Sequence, residues 1–253
     1  EPVLAHFLNP DPYIQNPEKP LNYNRYSYCL YSPLQYVDPS GMTIEITGED
    51  GSKTIYTQGM QYNGNDEFTK RAIDALNGMN STKNGSVVLH DLVESLEIFT
   101  ITNELGRKGN QCFTENKISG GKIKMGALTE DQKQNIFDIS HELFHGYQYI
   151  NKQGGRSIFN EIEAYSFAYS VIMTFSISGC PDILDRGISQ EYSDAVNNLL
   201  NGDYFSITDF NIVLQGFKKF ALENQEGTYD NYPLQRTNQT KNLIQSFYPL
   251  INW

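Results

Sequence analysis

The 253 residues suffice for one good-sized core, and 39% hydrophobic with 19% charged residues is the balance of a folded chain rather than a disordered one. A net charge of -11 repels phosphate backbones and anionic lipid, so nucleic acid and membrane surfaces are poor partners. No apolar run reaches the roughly 18 residues a membrane span needs, and Cys29, Cys112 and Cys180 form no CxxC pair for a thiolate metal site or a disulfide framework.

Glu1 is preceded by no methionine and followed by no signal-peptide pattern, which reads as a mature chain or a piece of a longer one. Residues 1–42 hold seven of the ten prolines and six of the seventeen tyrosines, a composition that sets a boundary near Gly41. Repeated proline forbids long helices there, and YNRYSYCLY suits a short strand. Beyond the boundary, TIEITGEDGSKTIYT alternates apolar and polar residues around a turn and predicts a β-hairpin.

Asn65 and Asp66 precede a helical pattern through FTKRAIDALNGM, and HDLVESLEIFTIT reads as a helix running into a strand. KISGGKIKMG, residues 117–126, predicts a glycine-rich strand or hairpin just ahead of the next helix. Thr129 with Gln132 three residues later predicts that helix's capping box. After the NKQGGRS turn, Asn160 is placed to cap a further helix, and others are predicted at about 189–200, 207–222 and 237–247. The apolar stretch AYSFAYSVIMTFSI reads as a buried helix.

The chemistry concentrates in TEDQKQNIFDISHELFHGYQYI, where Ile136, Phe137, Ile139, Leu143, Phe144 and Tyr147 recur at helical intervals. His141 and His145 stand four apart, which puts their Cβ atoms about 5–6 Å from one another on one face. Two imidazoles so placed converge on one Zn²⁺ at roughly 2.0–2.1 Å. Glu142 projects about 100° further round the helix, beside a zinc-bound water rather than on the metal, where it serves as a base. A third ligand is needed, and NEIEAYSFAYS offers Glu161 and Glu163. A carboxylate left off the metal would serve as a hydrogen-bond support for a histidine, a role for which Asp138 competes. His90 in SVVLHDLVE reads as a satisfied buried histidine, and His6 as structural.

The run Glu161-Ile-Glu-Ala-Tyr-Ser-Phe-Ala resembles the ExxAxxFA helix of several gluzincin families. In those the first glutamate binds the metal, which implies Glu161, with Glu163 as the alternative. Metzincins take a third histidine six residues after the second, and Asn151 stands there instead. Zincins also pair extended substrate with an edge strand ahead of the active helix, a place KISGGKIKMG would fill. Related sites stabilise the oxyanion with a tyrosine or histidine, for which Tyr147, Tyr165, Tyr169 and His90 are the candidates.

Residues 7–41, with FLNPDP, NRYSYCLYSP and DPSG, resemble the closing segment of the Rhs repeat-associated core, in which a repeat-built shell encloses a variable C-terminal domain, often a toxin, that begins after DPxG. Some members cleave themselves at that junction, and Met42 stands where those have Leu.

The sequence therefore predicts an α+β, zincin-like domain at 43–253 with a small sheet and an active-site helix, preceded by an Rhs-core tail at 1–42. The expected activity is zinc-dependent hydrolysis of a peptide bond in a protein or peptide by a bacterial, secreted or cell-surface-delivered toxin, with an Rhs shell and an immunity protein as further partners. The rivals are an inactive zincin-like module in surface adhesion or protein contact, and a zinc amidase acting on cell-wall peptide.

Overall fold

The computed structural model describes residues 43–95, 97–106, 111–116 and 120–172, with Ile212, Tyr232, Leu243, Ile244 and Phe247. The chain divides into two units, Glu1–Met42 and Thr43–Trp253, and every described residue belongs to the second. The proline-rich tract and, apart from those single positions, the three helices expected beyond residue 180 lie outside the described residues.

Unit two is α+β, with four helices and one mixed five-stranded sheet among the described residues. The strands β1 (Thr43–Thr47), β2 (Lys53–Ile55), β3 (Ile98–Thr102), β4 (Cys112–Glu115) and β5 (Gly121–Lys124) run in the order β2-β1-β3-β5-β4. The expected hairpin is β1–β2, antiparallel, with Gly48 donating its N–H to the Ser52 carbonyl at the turn. Parallel pairs β1–β3 and β3–β5 form the centre, and antiparallel β4 closes the far edge.

Period-two alternation explains the sheet's one-sided burial. Ile44 and Ile46 of β1, Phe99 and Ile101 of β3, and Ile123 of β5 are fully buried, while Glu45 pairs with Lys53, and Lys122 and Lys124 pair with Glu104. The apolar face is covered by α1 (Glu67–Asn80), α2 (Lys83–Glu94) and α3 (Gln132–Ile150), and α4 (Ile158–Ile172) packs on α3 and α2, so that the four helices and the sheet share one core. Asp66 caps α1 by accepting the Thr69 N–H at 2.7 Å, and Thr82 caps α2 by accepting that of Gly85 at 3.0 Å.

Three local expectations are corrected. The N-cap of α3 is Asp131, whose carboxylate accepts from Lys133 and Gln134, and not Thr129. Thr129 instead braces the entry, its backbone N–H and C=O both bonded to the Asn135 side-chain amide at 2.9 Å. The cap of α4 is Ser157, whose Oγ accepts the Asn160 N–H at 3.3 Å, while the Asn160 side chain donates to the Gln153 and Gly155 carbonyls.

The third correction concerns the sheet edge: β5, from KISGGKIKMG, lies between β3 and β4, so the edge strand is Cys112–Glu115. Gly121 is required there by the Phe113 ring, which occupies the space a Cβ would need.

Helix α3 ends in a two-bond turn in which Lys152 N–H meets the Tyr149 carbonyl at 3.0 Å and Gln153 N–H the Gln148 carbonyl at 2.8 Å. Lys152 takes the left-handed conformation, φ 61°, that such a turn requires. The turn sends the chain back so that α4 packs along α3, with the Phe144 and Phe167 rings stacked at 4.7 Å. Gly146 lets α3 press onto β3, since a Cβ there would come within 2.9 Å of Phe99.

Candidate metal centre

His141 and His145 project from α3 and meet Glu161, in the first turn of α4. The two Nε2 atoms lie 3.3 Å apart, and Glu161 Oε2 is 3.4 Å from His141 Nε2 and 3.6 Å from His145 Nε2. One donor atom from each residue lies within 4.8 Å of the others, a group able to hold a metal ion. Glu163, the alternative carboxylate, faces elsewhere and accepts hydrogen bonds from the Gln148 and Gln153 amides.

The distances test whether the group fits a metal ion. A tetrahedral ion bound at about 2.0–2.1 Å has ligand atoms about 3.3–3.4 Å apart along each edge, as zinc with imidazole and carboxylate ligands has. The three observed separations fall at or close to that length. The second fit is chemical: His145 Nδ1 bonds the Gln148 side-chain oxygen at 2.8 Å. An amide oxygen only accepts, so Nδ1 carries a hydrogen, and once the imidazole is neutral Nε2 is the nitrogen left to bind a metal. His141 Nδ1 has no partner among the described residues, and its ring lies against Tyr165 with centroids 4.1 Å apart.

Electrostatics follow from burying a carboxylate between two imidazoles. His141, Glu142 and Glu161 are only 7%, 6% and 9% exposed, so each charge needs a partner. Burial lowers the basicity of His141. Burial also opposes a charged His145, but the Glu161 carboxylate outweighs it and raises that imidazole well above its ordinary value. Burial disfavours charge on Glu161 too, yet His145 and the hydrogen bonds of both imidazoles hold its carboxyl well below the usual range.

Glu142 sits beside this group without belonging to it. Burial pushes its carboxyl up to about 7, with the Glu161 and Asp138 charges adding to the shift. His145 and a hydrogen bond from the Phe113 backbone N–H, on the edge strand β4, work the other way. A carboxylate poised near neutrality takes up and returns a proton readily.

Asp138 is half-buried one turn earlier on α3 and accepts from Gln111 at 3.1 Å and Gln134 at 2.7 Å, so it supports neither histidine. Tyr147 hydrogen-bonds Asp91 on α2, and His90 is exposed on that helix rather than buried, which removes both from the oxyanion candidates. Tyr165 touches the His141 ring; the side chain of Tyr169 and all of His6 lie outside the described residues.

Two groups near the site were not singled out from sequence. The Tyr232 ring lies 5.9 Å from the Arg156 guanidinium carbon. Burial, with the charges of Glu161 and Glu142, pushes the Tyr232 phenol up to about 12. Cys112 of β4 is also close enough to feel Glu142 and Arg156, its thiol raised chiefly by burial.

A family model, Peptidase_M91, described as "Effector protein", matches residues 56–157. The match covers less than half of the chain, includes His141, Glu142 and His145, and stops short of Glu161. It supports an effector-type peptidase domain in that part of the chain. No curated protein and no solved structure matches. No helix of the described residues is long and apolar enough to cross a membrane.

Proposed function

We propose that residues 43–253 form a zincin-like zinc peptidase of the gluzincin type, with His141, His145 and Glu161 as metal ligands and Glu142 as the catalytic base. The observation that carries this reading is the set of 3.3, 3.4 and 3.6 Å separations among the donors of buried His141 and Glu161 and half-buried His145, matched to a tetrahedral ion. The peptidase match over residues 56–157 supports the reaction class. When bound, zinc supplies Lewis acidity to the attacking water and to the scissile carbonyl.

Glu142 takes the proton from that water and later passes it to the leaving amine, a role for which a carboxyl near 7 is suited. Glu161 and the Nε2 atoms of His141 and His145 would hold the metal. Tyr232 is the proposed donor to the oxyanion of the tetrahedral adduct, supported by a phenol that feels the charges of Glu161 and Glu142. An extended protein segment pairs with the exposed side of β4, whose Phe113 N–H already reaches Glu142.

The Rhs-like motifs of residues 7–41 and the effector description of the matching family support a toxin delivered to other cells from an Rhs-type shell and held in check by an immunity protein. The test is zinc content together with cleavage of casein or a peptide library, with and without chelator. Wild-type protein should bind one zinc and lose cleavage on chelation. Glu142→Gln should keep zinc and lose cleavage, and Glu161→Ala should lose zinc. Full zinc occupancy in Glu161→Ala, or cleavage by Glu142→Gln at the wild-type rate, would refute the assignment.

A further inference from the structure

We infer that Gln148 is the positioning residue for His145, fixing the imidazole through Nδ1, and that buried Glu163 and Gln153 hold Gln148 in place. The inference rests on His145 acting as a metal ligand and adds to it the shell that aims the ligand.

The direct contact is His145 Nδ1 to Gln148 Oε1, 2.8 Å, across one turn of α3. An amide can be turned end for end, so its other end must fix it. Gln148 Nε2 donates to the Asn160 carbonyl at 3.0 Å and to Glu163 Oε2 at 3.2 Å, both of which only accept. Turning the amide would set its oxygen against a carbonyl and a carboxylate in a site where Gln148 and Glu163 are 1% and 0% exposed. The observed orientation is therefore the one the burial enforces. It leaves Oε1 facing His145, whose Nδ1 must donate.

Glu163 is steadied by a second amide. Gln153, placed by the turn that ends α3, donates to the same carboxylate oxygen, and its backbone carbonyl is held by Asn160. The chain of bonds runs from a buried carboxyl group through a neutral amide to the imidazole. Glu163 polarises Gln148 and makes its oxygen a stronger acceptor. A ligating histidine supported in this way is both oriented and made a better donor to the metal.

The test compares wild type with Gln148→Leu, Glu163→Gln and the exchanged pair Gln148→Glu with Glu163→Gln. The pair keeps one carboxylate and one amide in contact and presents an acceptor to Nδ1, while giving up the bond to the Asn160 carbonyl. Zinc affinity is read by competition with a chromogenic chelator, folding by circular dichroism, and the His145 Nδ1 proton by NMR of the zinc-loaded protein.

Gln148→Leu should bind zinc about 10–100-fold more weakly and expose the Nδ1 proton to rapid exchange. Glu163→Gln should lose a smaller factor. The exchanged pair should recover part of the affinity lost in Gln148→Leu, and the protected proton, which a purely structural role for Gln148 does not predict.

Wild-type affinity in folded Gln148→Leu would overturn the inference while leaving the ligand set intact. If Gln148→Leu fails to fold, the exchanged pair decides, and a folded pair without the protected proton would be equally adverse. Absence of zinc uptake by wild type would overturn the ligand assignment and this inference together.

Discussion

Replacing Gly146 with alanine tests whether the contact of α3 with the sheet sets the geometry of the metal centre. A Cβ on Gly146 would lie 2.9 Å from Phe99 Cε1, 3.2 Å from Phe99 Cδ1 and 3.5 Å from Leu92 Cδ2. Ordinary carbon contacts are about 3.5–4.0 Å, so Phe99 or the helix must yield by about 0.6 Å or more. Phe99 is fully buried and packs near Phe113, with ring centroids 6.3 Å apart, so it has little room to turn.

Overpacking of this kind costs about 1–3 kcal/mol, while alanine returns about 0.5–1 kcal/mol of helix propensity. A net loss of about 1–2 kcal/mol should appear in urea unfolding of the metal-free protein. Because Gly146 adjoins His145, the same displacement moves one imidazole relative to Glu161, and zinc affinity should fall with stability. Stability equal to or above wild type would show that α3 is not seated on Phe99 as described, and a loss of stability with unchanged zinc affinity would uncouple the seat from the site.

Lys152→Gly should raise stability by about 0.5–1 kcal/mol, because a left-handed lysine at φ 61° becomes a residue that adopts that conformation freely; a lowered melting temperature would count against the turn. Tyr232→Phe should reduce kcat by about 10²–10³-fold, with zinc content and KM little changed; an unaltered kcat would remove Tyr232 from the oxyanion role. Zinc uptake at neutral pH should release about one proton, since the Glu161 carboxylate keeps the metal-free His145 imidazole protonated there. Apparent zinc affinity should then rise with pH until that imidazole is neutral. Uptake in weakly buffered solution without acidification would refute the pairing.

What the sequence made legible is what one helix or one hairpin determines. The i, i+4 spacing of His141 and His145, the alternation in Thr43–Thr47 and the cap at Asp66 each depend on neighbours within a turn or two. Competing local signals were harder to read. Thr129 and Asp131 are both capping residues, and Asp131 takes the end of α3 because the Asn135 amide occupies the backbone of Thr129. His90 could have been assigned correctly, because the buried stripe of Gly85, Val88, Leu89 and Leu92 leaves it on the opposite face of α2. β4 is four residues with no apolar alternation, so its place at the edge depends on the Phe113 ring over Gly121 rather than on its own pattern. Tyr232 lies some sixty residues beyond α4 in sequence, and no local pattern links it to Arg156.

The choice between Glu161 and Glu163 shows how much a helix decides once its partner is known. Two residues apart on a helix, side chains point about 200° apart, so both cannot reach the same two imidazoles. Glu161 meets the Nε2 atoms and Glu163 meets Gln148, which bonds the Nδ1 of the same His145. The two carboxylates thus act on opposite nitrogens of one ring, one beside the metal position and one through an amide behind it. Exchanging their roles would require α4 to turn by half a revolution, burying Glu161 against the Gln148 and Gln153 amides and stripping Phe167 from Phe144. The packing of α4 against α3 therefore also decides which carboxylate meets the two imidazoles, and a substitution such as Phe167→Ala should weaken zinc binding without touching any donor atom.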